Sequence, residues 1–237
     1  MESFLLFLRS HGMATAHPLC RWRQFAVALF CAGCAVIGVT VSAAPLAAIV
    51  RDAAGAVVAD AVVYAIPAAG TAAGPRSARN VVIEQVGREF VPYVTVVQAG
   101  TTVAFPNRDK LLHHVYSFSP TKTFEIKLYS GAAPFDVLFD KVGVVTIGCN
   151  IHDWMIAYVY VVDTPYFARS DSAGKAAVGE VAAGEYDLYL WHPQQRNQPA
   201  TTRLKLDGKT AAELALTIDV TPRRQKFKPP ANPASYQ

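Results

Sequence analysis

The chain has 237 residues, 17% charged and 52% hydrophobic, with a formal net charge of +4. That length holds one large or two small domains, and the composition is globular and excludes a disordered chain. The basic residues Arg223, Arg224, Lys226 and Lys228 lie in the last stretch without an acid, so the body has no basic excess and no nucleic-acid partner is expected.

The first segment reads as an export signal. Arg21-Trp22-Arg23 supplies a positive n-region, Phe25 to Val41 is apolar and uncharged, and Val41-Ser42-Ala43 supplies small residues for cleavage after Ala43. Residues 1–43 are therefore expected to be a signal peptide, with a periplasmic product and no membrane span after cleavage. The apolar stretch is at the short edge of the about 20 residues that cross a bilayer, so an uncleaved anchor is the alternative. Cys20, Cys31 and Cys34 leave with the signal, and Cys149 remains alone. A lone thiol in an oxidising compartment is a liability unless it has a role, and ligating a metal both uses and protects it.

From there on almost every segment reads as strand. Val and Tyr recur in short runs at Ala61–Ile66, Tyr93–Val97, Thr102–Phe105, Val115–Phe118, Val142–Ile147 and Ala157–Val162. Turn signals fall at Asp52-Ala53-Ala54-Gly55, Ala99-Gly100, Ser130-Gly131 and Ala173-Gly174. No long helical periodicity interrupts them, which predicts an all-β protein of sandwich type. His192, in Trp191-His192-Pro193, reads as a strand-end residue. The tail, residues 221–237, is basic and rich in Pro and is expected to be extended and disordered.

The chemistry concentrates in Cys149-Asn150-Ile151-His152-Asp153-Trp154-Met155, a C-x2-H-x2-M pattern. A thiolate, an imidazole and a thioether form a soft ligand set, which selects copper; two His and one Cys with a weak axial Met is the blue-copper arrangement. The second imidazole has a source in Leu112-His113-His114-Val115. Taken singly, each residue has a plainer reading, as an inert buried Cys, a packing Met or a structural His. Four plain readings would have to hold together. No G-x-S-x-G, H-E-x-x-H or G-x-G-x-x-G occurs, and no catalytic activity is expected.

The segment from Phe90-Val91-Pro92-Tyr93 through Gly100-Thr101-Thr102-Val103-Ala104-Phe105-Pro106-Asn107, His113-His114-Val115 and Gly143 to Met155 resembles the cupredoxins, the type 1 blue-copper family. Amicyanins and plastocyanins are the most similar branches, together with cupredoxin-like proteins labelled for methylamine utilisation. The resemblance implies a Greek-key β-sandwich over 77–163 and one copper ion. It implies that His113, Cys149, His152 and Met155 are the ligands. It further implies single-electron transfer between redox partner proteins such as c-type cytochromes or a dehydrogenase. Adjacent strand residues point to opposite faces, so at most one of His113 and His114 meets the metal; the family pattern selects His113. His114 then stands where the family has Asn, and Asp153 where amicyanin-like loops have Pro. Trp154 reads as a partner-facing surface residue or as packing.

The flanks carry a second resemblance. Val50 to Val63, then Asp171-Ser172-Ala173-Gly174-Lys175 and Gly184-Glu185-Tyr186-Asp187-Leu188, resemble a carboxypeptidase-regulatory-like (transthyretin-like) sandwich. This implies that 45–67 and 164–220 form one split sandwich into which the cupredoxin-like segment is inserted, with Ala68 to Ala78 as a linker. Two other readings of function stay open: a copper-handling chaperone or sensor, and a sandwich module that binds a partner protein or carbohydrate.

Overall fold

The computed structural model describes residues 42–69, 81–198 and 201–221. Nearly all of the expected signal peptide, most of the linker and the tail from residue 222 onward lie outside the described residues. Among those described, every helix-or-strand element is a strand, and no helix is long and apolar enough to cross a membrane.

The chain begins with β1 (Ala43–Arg51) and β2 (Val62–Pro67). Then come β3 (Val81–Val82), β4 (Glu84–Gln85), β5 (Phe90–Val91), β6 (Val94–Gln98), β7 (Thr101–Ala104), β8 (His113–Ser119) and β9 (Lys122–Tyr129). These are followed by β10 (Val137–Phe139), β11 (Gly143–Gly148) and β12 (Ile156–Val162). The chain closes with β13 (Phe167–Arg169), β14 (Lys175–Ala182), β15 (Gly184–Trp191), β16 (Thr202–Leu206) and β17 (Ala212–Thr217).

Two separate apolar cores form. Leu46, Val50, Val63, Val181, Tyr186 and Leu188 gather in one, contributed by sheets β14-β1-β17 and β13-β2-β15-β16. Ile83, Phe105, Val115, Phe139, Ile147 and Val159 gather in the other, contributed mainly by sheets β10-β7-β3 and β6-β12-β11-β8-β9. The first core draws on strands from both ends of the described chain, and the second on strands between them.

Period-2 patterning decides which way each strand faces. In β12, Ala157, Val159 and Val161 are buried and enter the second core. The alternate residues Tyr158 and Tyr160 face out, where they meet β2 and β15 of the sheets around the first core. Tyr160 lies 4.8 Å from Trp191 and 5.5 Å from Tyr64 between ring centroids. The Tyr64 and Tyr160 hydroxyls hydrogen-bond at 3.0 Å. Tyr158 packs on Tyr93 at 5.5 Å and on Trp191 at 6.1 Å. Each such pair is worth about 0.5–1.5 kcal/mol beyond its buried area, so this aromatic seam ties the strands around one core to those around the other.

Two strands differ from the sequence expectation. β1 starts at Ala43, the residue before the expected cut, and pairs Ala43 with Ala182 and Ala44 with Val181. β9 lies outside the Val- and Tyr-rich runs picked out in the sequence, although Phe124 and Ile126 turn inward between the exposed Thr123, Glu125 and Lys127. It lies at the edge of its sheet, where exposed charges are the usual protection against further pairing.

Candidate metal centre

Three adjacent strands build the site. β11 pairs with β12, Gly148 opposite Ile156, so residues 149–155 form the connection between them. Backbone bonds from Met155 N–H to His152 carbonyl (2.9 Å) and from Cys149 N–H to Met155 carbonyl (3.2 Å) close that loop tightly. β8 lies on the other side of β11, with Tyr116 opposite Gly148, and this brings the start of β8 to Cys149. The β8–β9 register slips between His113 and Val115. Such a bulge re-aims side chains, and it directs the two adjacent histidines to different surroundings.

His113, Cys149 and His152 come together, with one donor atom from each lying within 4.8 Å of the others. Cys149 Sγ is 3.9 Å from His152 Nδ1. Nitrogen and sulfur donors around one metal stand about 3.5 Å apart, slightly closer than in this cluster. Met155 is buried beside Cys149 in the second core. His114 does not join the cluster; its Nε2 lies 3.1 Å from Glu125 Oε1. Trp154 is half-buried and its indole N–H bonds the Arg88 carbonyl at 3.1 Å, so it packs against the protein. Asp153 is exposed.

His113 is fully buried. Its Nε2 is 2.8 Å from Asp109 Oδ2, while its Nδ1 is buried with the Cys149 sulfur nearby and no nitrogen or oxygen partner. A buried nitrogen lone pair without a partner is costly, and a metal at the cluster would satisfy it. Asp109 had no role assigned from the sequence. A carboxylate four residues before a ligand histidine is a signal that becomes legible only once the loop between them is known to turn back.

The electrostatics prepare the same chemistry. Burial opposes ionisation of the Cys149 thiol, but the His113 ring and the backbone N–H groups of His114, Ile151 and His152 outweigh it and hold its pKa below the ordinary value. The thiolate is the ligating form. Burial likewise opposes a proton on His113, but the Cys149 thiolate and the Asp109 carboxylate together raise its pKa. Burial and the charges of His113 and Arg88 lower that of His152. The two shifts favour an ionised thiol and a protonated imidazole, and because metal ligands must be deprotonated, binding at this site would be coupled to proton release. Soft sulfur with two imidazoles fits copper, and the same donors also accept zinc.

No family model matches the chain, and no curated protein does. Among solved structures, it is similar to a purple cupredoxin from Nitrosopumilus maritimus, at 22% identity over 35% of this chain and 100% of that one, with a TM-score of 0.31. It is similar to a reduced mutant form of amicyanin, at 20% identity over 44% of this chain and 99% of that one, with a TM-score of 0.33. It is also similar to a Cu-containing nitrite reductase from Thermus scotoductus SA-01, at 24% identity over 41% of this chain and 25% of that one, with a TM-score of 0.34.

Proposed function

We propose that this chain is an exported, periplasmic type 1 copper protein that carries single electrons between redox partner proteins. The observation that carries the reading is the buried cluster of His113, Cys149 and His152, in which the unpartnered Nδ1 of His113 stands beside a thiol held toward its ionised form. His113, Cys149, His152 and Met155 would hold one copper ion. Copper supplies a one-electron couple between Cu(II) and Cu(I). The chain supplies three things. Burial of Cys149 and His113 keeps water from the sulfur. The closed loop fixes the spacing of Cys149 and His152. The Asp109 carboxylate leaves the Nδ1 lone pair of His113 free to ligate. Each turnover takes one electron from a reduced donor, such as a c-type cytochrome or a dehydrogenase, and gives it to an oxidised acceptor. The loops that carry His113 and His152 also expose Leu111, Leu112 and Ile151, an apolar surface on which such a partner would dock.

The test is the visible spectrum of the chain with Cu(II), beside a Cys149→Ser variant. An intense thiolate-to-copper band that disappears in the variant supports the assignment. Copper binding indifferent to Cys149 overturns it.

A further inference from the structure

The two histidines of the cluster come from the start of β8 and the 149–155 loop, yet both lean on a third segment. Val86 to Glu89 is a tight turn between β4 and β5, closed by Val86 N–H to Glu89 carbonyl at 3.0 Å and Glu89 N–H to Val86 carbonyl at 3.2 Å. Gly87 and Arg88 both have left-handed backbone, with φ of 61° and 60°. That is the two-residue hairpin geometry that matches strand twist, but Arg88 carries a Cβ and disfavours it. A conformation of this kind persists where its surroundings fix it.

Asp109 and Trp154 fix it. The Gly87 N–H donates to Asp109 Oδ1 and the Arg88 N–H to Asp109 Oδ2, each at 2.7 Å. The same Oδ2 is 2.8 Å from His113 Nε2. Asp109 is itself held, its own N–H donating to Asn107 Oδ1 at 2.9 Å. On the other side of the turn, the Arg88 carbonyl accepts the Trp154 indole N–H, and the Arg88 guanidinium stands 5.8 Å from the centre of the Trp154 ring. The Trp154 ring is 5.2 Å from His152, and His152 is 4.9 Å from His113. The contacts thus run in a closed circuit from one imidazole to the other through residues 86–89.

We propose that Asp109 and Trp154 are positioning residues that bracket His113 and His152 onto the 86–89 turn. The bracket fixes the His113 proton on Nε2, leaves Nδ1 for a metal, and keeps both rings in one arrangement with and without the ion. This rests on the metal-site reading above, but its first test does not need the metal. An ionised carboxylate only accepts hydrogen bonds, so a neutral His113 facing Asp109 must carry its proton on Nε2. In Asp109→Ala that constraint is gone, and the proton is free to move to Nδ1, toward the Cys149 sulfur. The Trp154 arm acts on the other ring: Trp154→Phe keeps a ring beside His152 and removes only the N–H that ties it to the turn.

Nitrogen NMR of the histidine rings in the metal-free full chain, recorded above the His113 pKa, reads the tautomer directly. Wild type is expected as the Nε2–H form and Asp109→Ala as a mixture. Zn(II), which has no redox chemistry, then reads how well the donors are held. Asp109→Ala is expected to bind about 10–100-fold more weakly, the usual effect of removing a ligand's outer partner. Trp154→Phe is expected to weaken binding less, with the His113 tautomer unchanged. Circular dichroism that matches wild type confirms that the comparison is between folded chains. Asp109→Asn is the second variant should Asp109→Ala unfold, because one amide oxygen cannot serve all three donors. A His113 that stays wholly Nε2–H in a folded Asp109 variant, with wild-type Zn(II) affinity, overturns the bracket. A wild-type chain that holds Zn(II) through Cys149 but shows no thiolate band with Cu(II) overturns the copper reading instead and leaves the bracket standing.

Discussion

The ring of Tyr116 lies over Gly148, the residue immediately before Cys149, so closely that a Cβ on Gly148 would stand 3.1 Å from Tyr116 Cζ and Oη. Contacts of that length are tighter than nearly all packed side chains show, so a side chain at 148 requires the Tyr116 ring to shift by a few tenths of an ångström. Gly148→Val is expected to cost about 1–3 kcal/mol, the usual range for overpacking. Combined with Tyr116→Ala, much of that cost should vanish, since the clashing ring is gone. A double-mutant cycle by urea unfolding measures the coupling, and additive effects would refute the contact.

Asn107 is the second fixed point of the site. Its amide donates to the carbonyls of Leu111 and Tyr129, both at 2.8 Å, and its Oδ1 accepts the Asp109 N–H. The side chain is 3% exposed, so water does not replace what a substitution removes. Asn107→Ala is expected to cost about 2–4 kcal/mol, for several buried groups left unpaired. Asn107→Asp should be worse, because it sets a carboxylate oxygen against two carbonyls. Thermal unfolding ranks the two, and an Asp variant milder than the Ala variant would contradict the network.

The strand series and the Cys149–Met155 loop were legible in the sequence because both are local. Alternation of Val and Tyr with polar residues reads out a half-buried strand wherever it occurs, and C-x2-H-x2-M puts three donors on one short loop. Alternation alone allowed only one of His113 and His114 to meet the metal and did not say which, and the register shift at that point is not visible in the sequence. The bracket was not legible either. Trp154 meets Arg88 across 66 positions and Asp109 meets Arg88 across 21, and no local pattern marks such partners. The start of β1 was obscured for another reason: small apolar residues around Ala43 suit a cleavage site and a strand equally.

The hydroxyls of Tyr64 and Tyr160 join β2 to β12 across the aromatic seam between the two cores, at 3.0 Å. Burial, with Tyr160 and Tyr189 nearby, pushes the Tyr64 pKa far above the ordinary phenol value, so Tyr64 stays neutral at working pH. Tyr64→Phe and Tyr160→Phe are each expected to cost about 1 kcal/mol, and the double variant less than their sum. Urea unfolding of the three variants tests this, and strict additivity would show that the bond contributes nothing.

His192, just after β15, makes the fold sensitive to acid. It is 8% exposed, and its Nδ1 accepts the Gln194 N–H at 3.1 Å. Burial lowers its pKa, offset only in part by Asp60 and by a bond to the Ala59 backbone. The unfolded chain takes up this proton near about pH 6.5, while the folded chain resists it. More protons are then bound unfolded than folded, so this contribution is fully present above about pH 6.5 and declines as pH falls through the lowered folded value. His113, whose pKa is raised, has the opposite sign, so the wild-type slope alone does not isolate His192. Substitution does. His192→Asn keeps an oxygen acceptor for the Gln194 N–H and does not titrate. Metal-free His192→Asn is expected to lose less stability than wild type between about pH 7 and pH 5. Urea midpoints at the two pH values give the comparison, and equal losses would assign the acid sensitivity to another group.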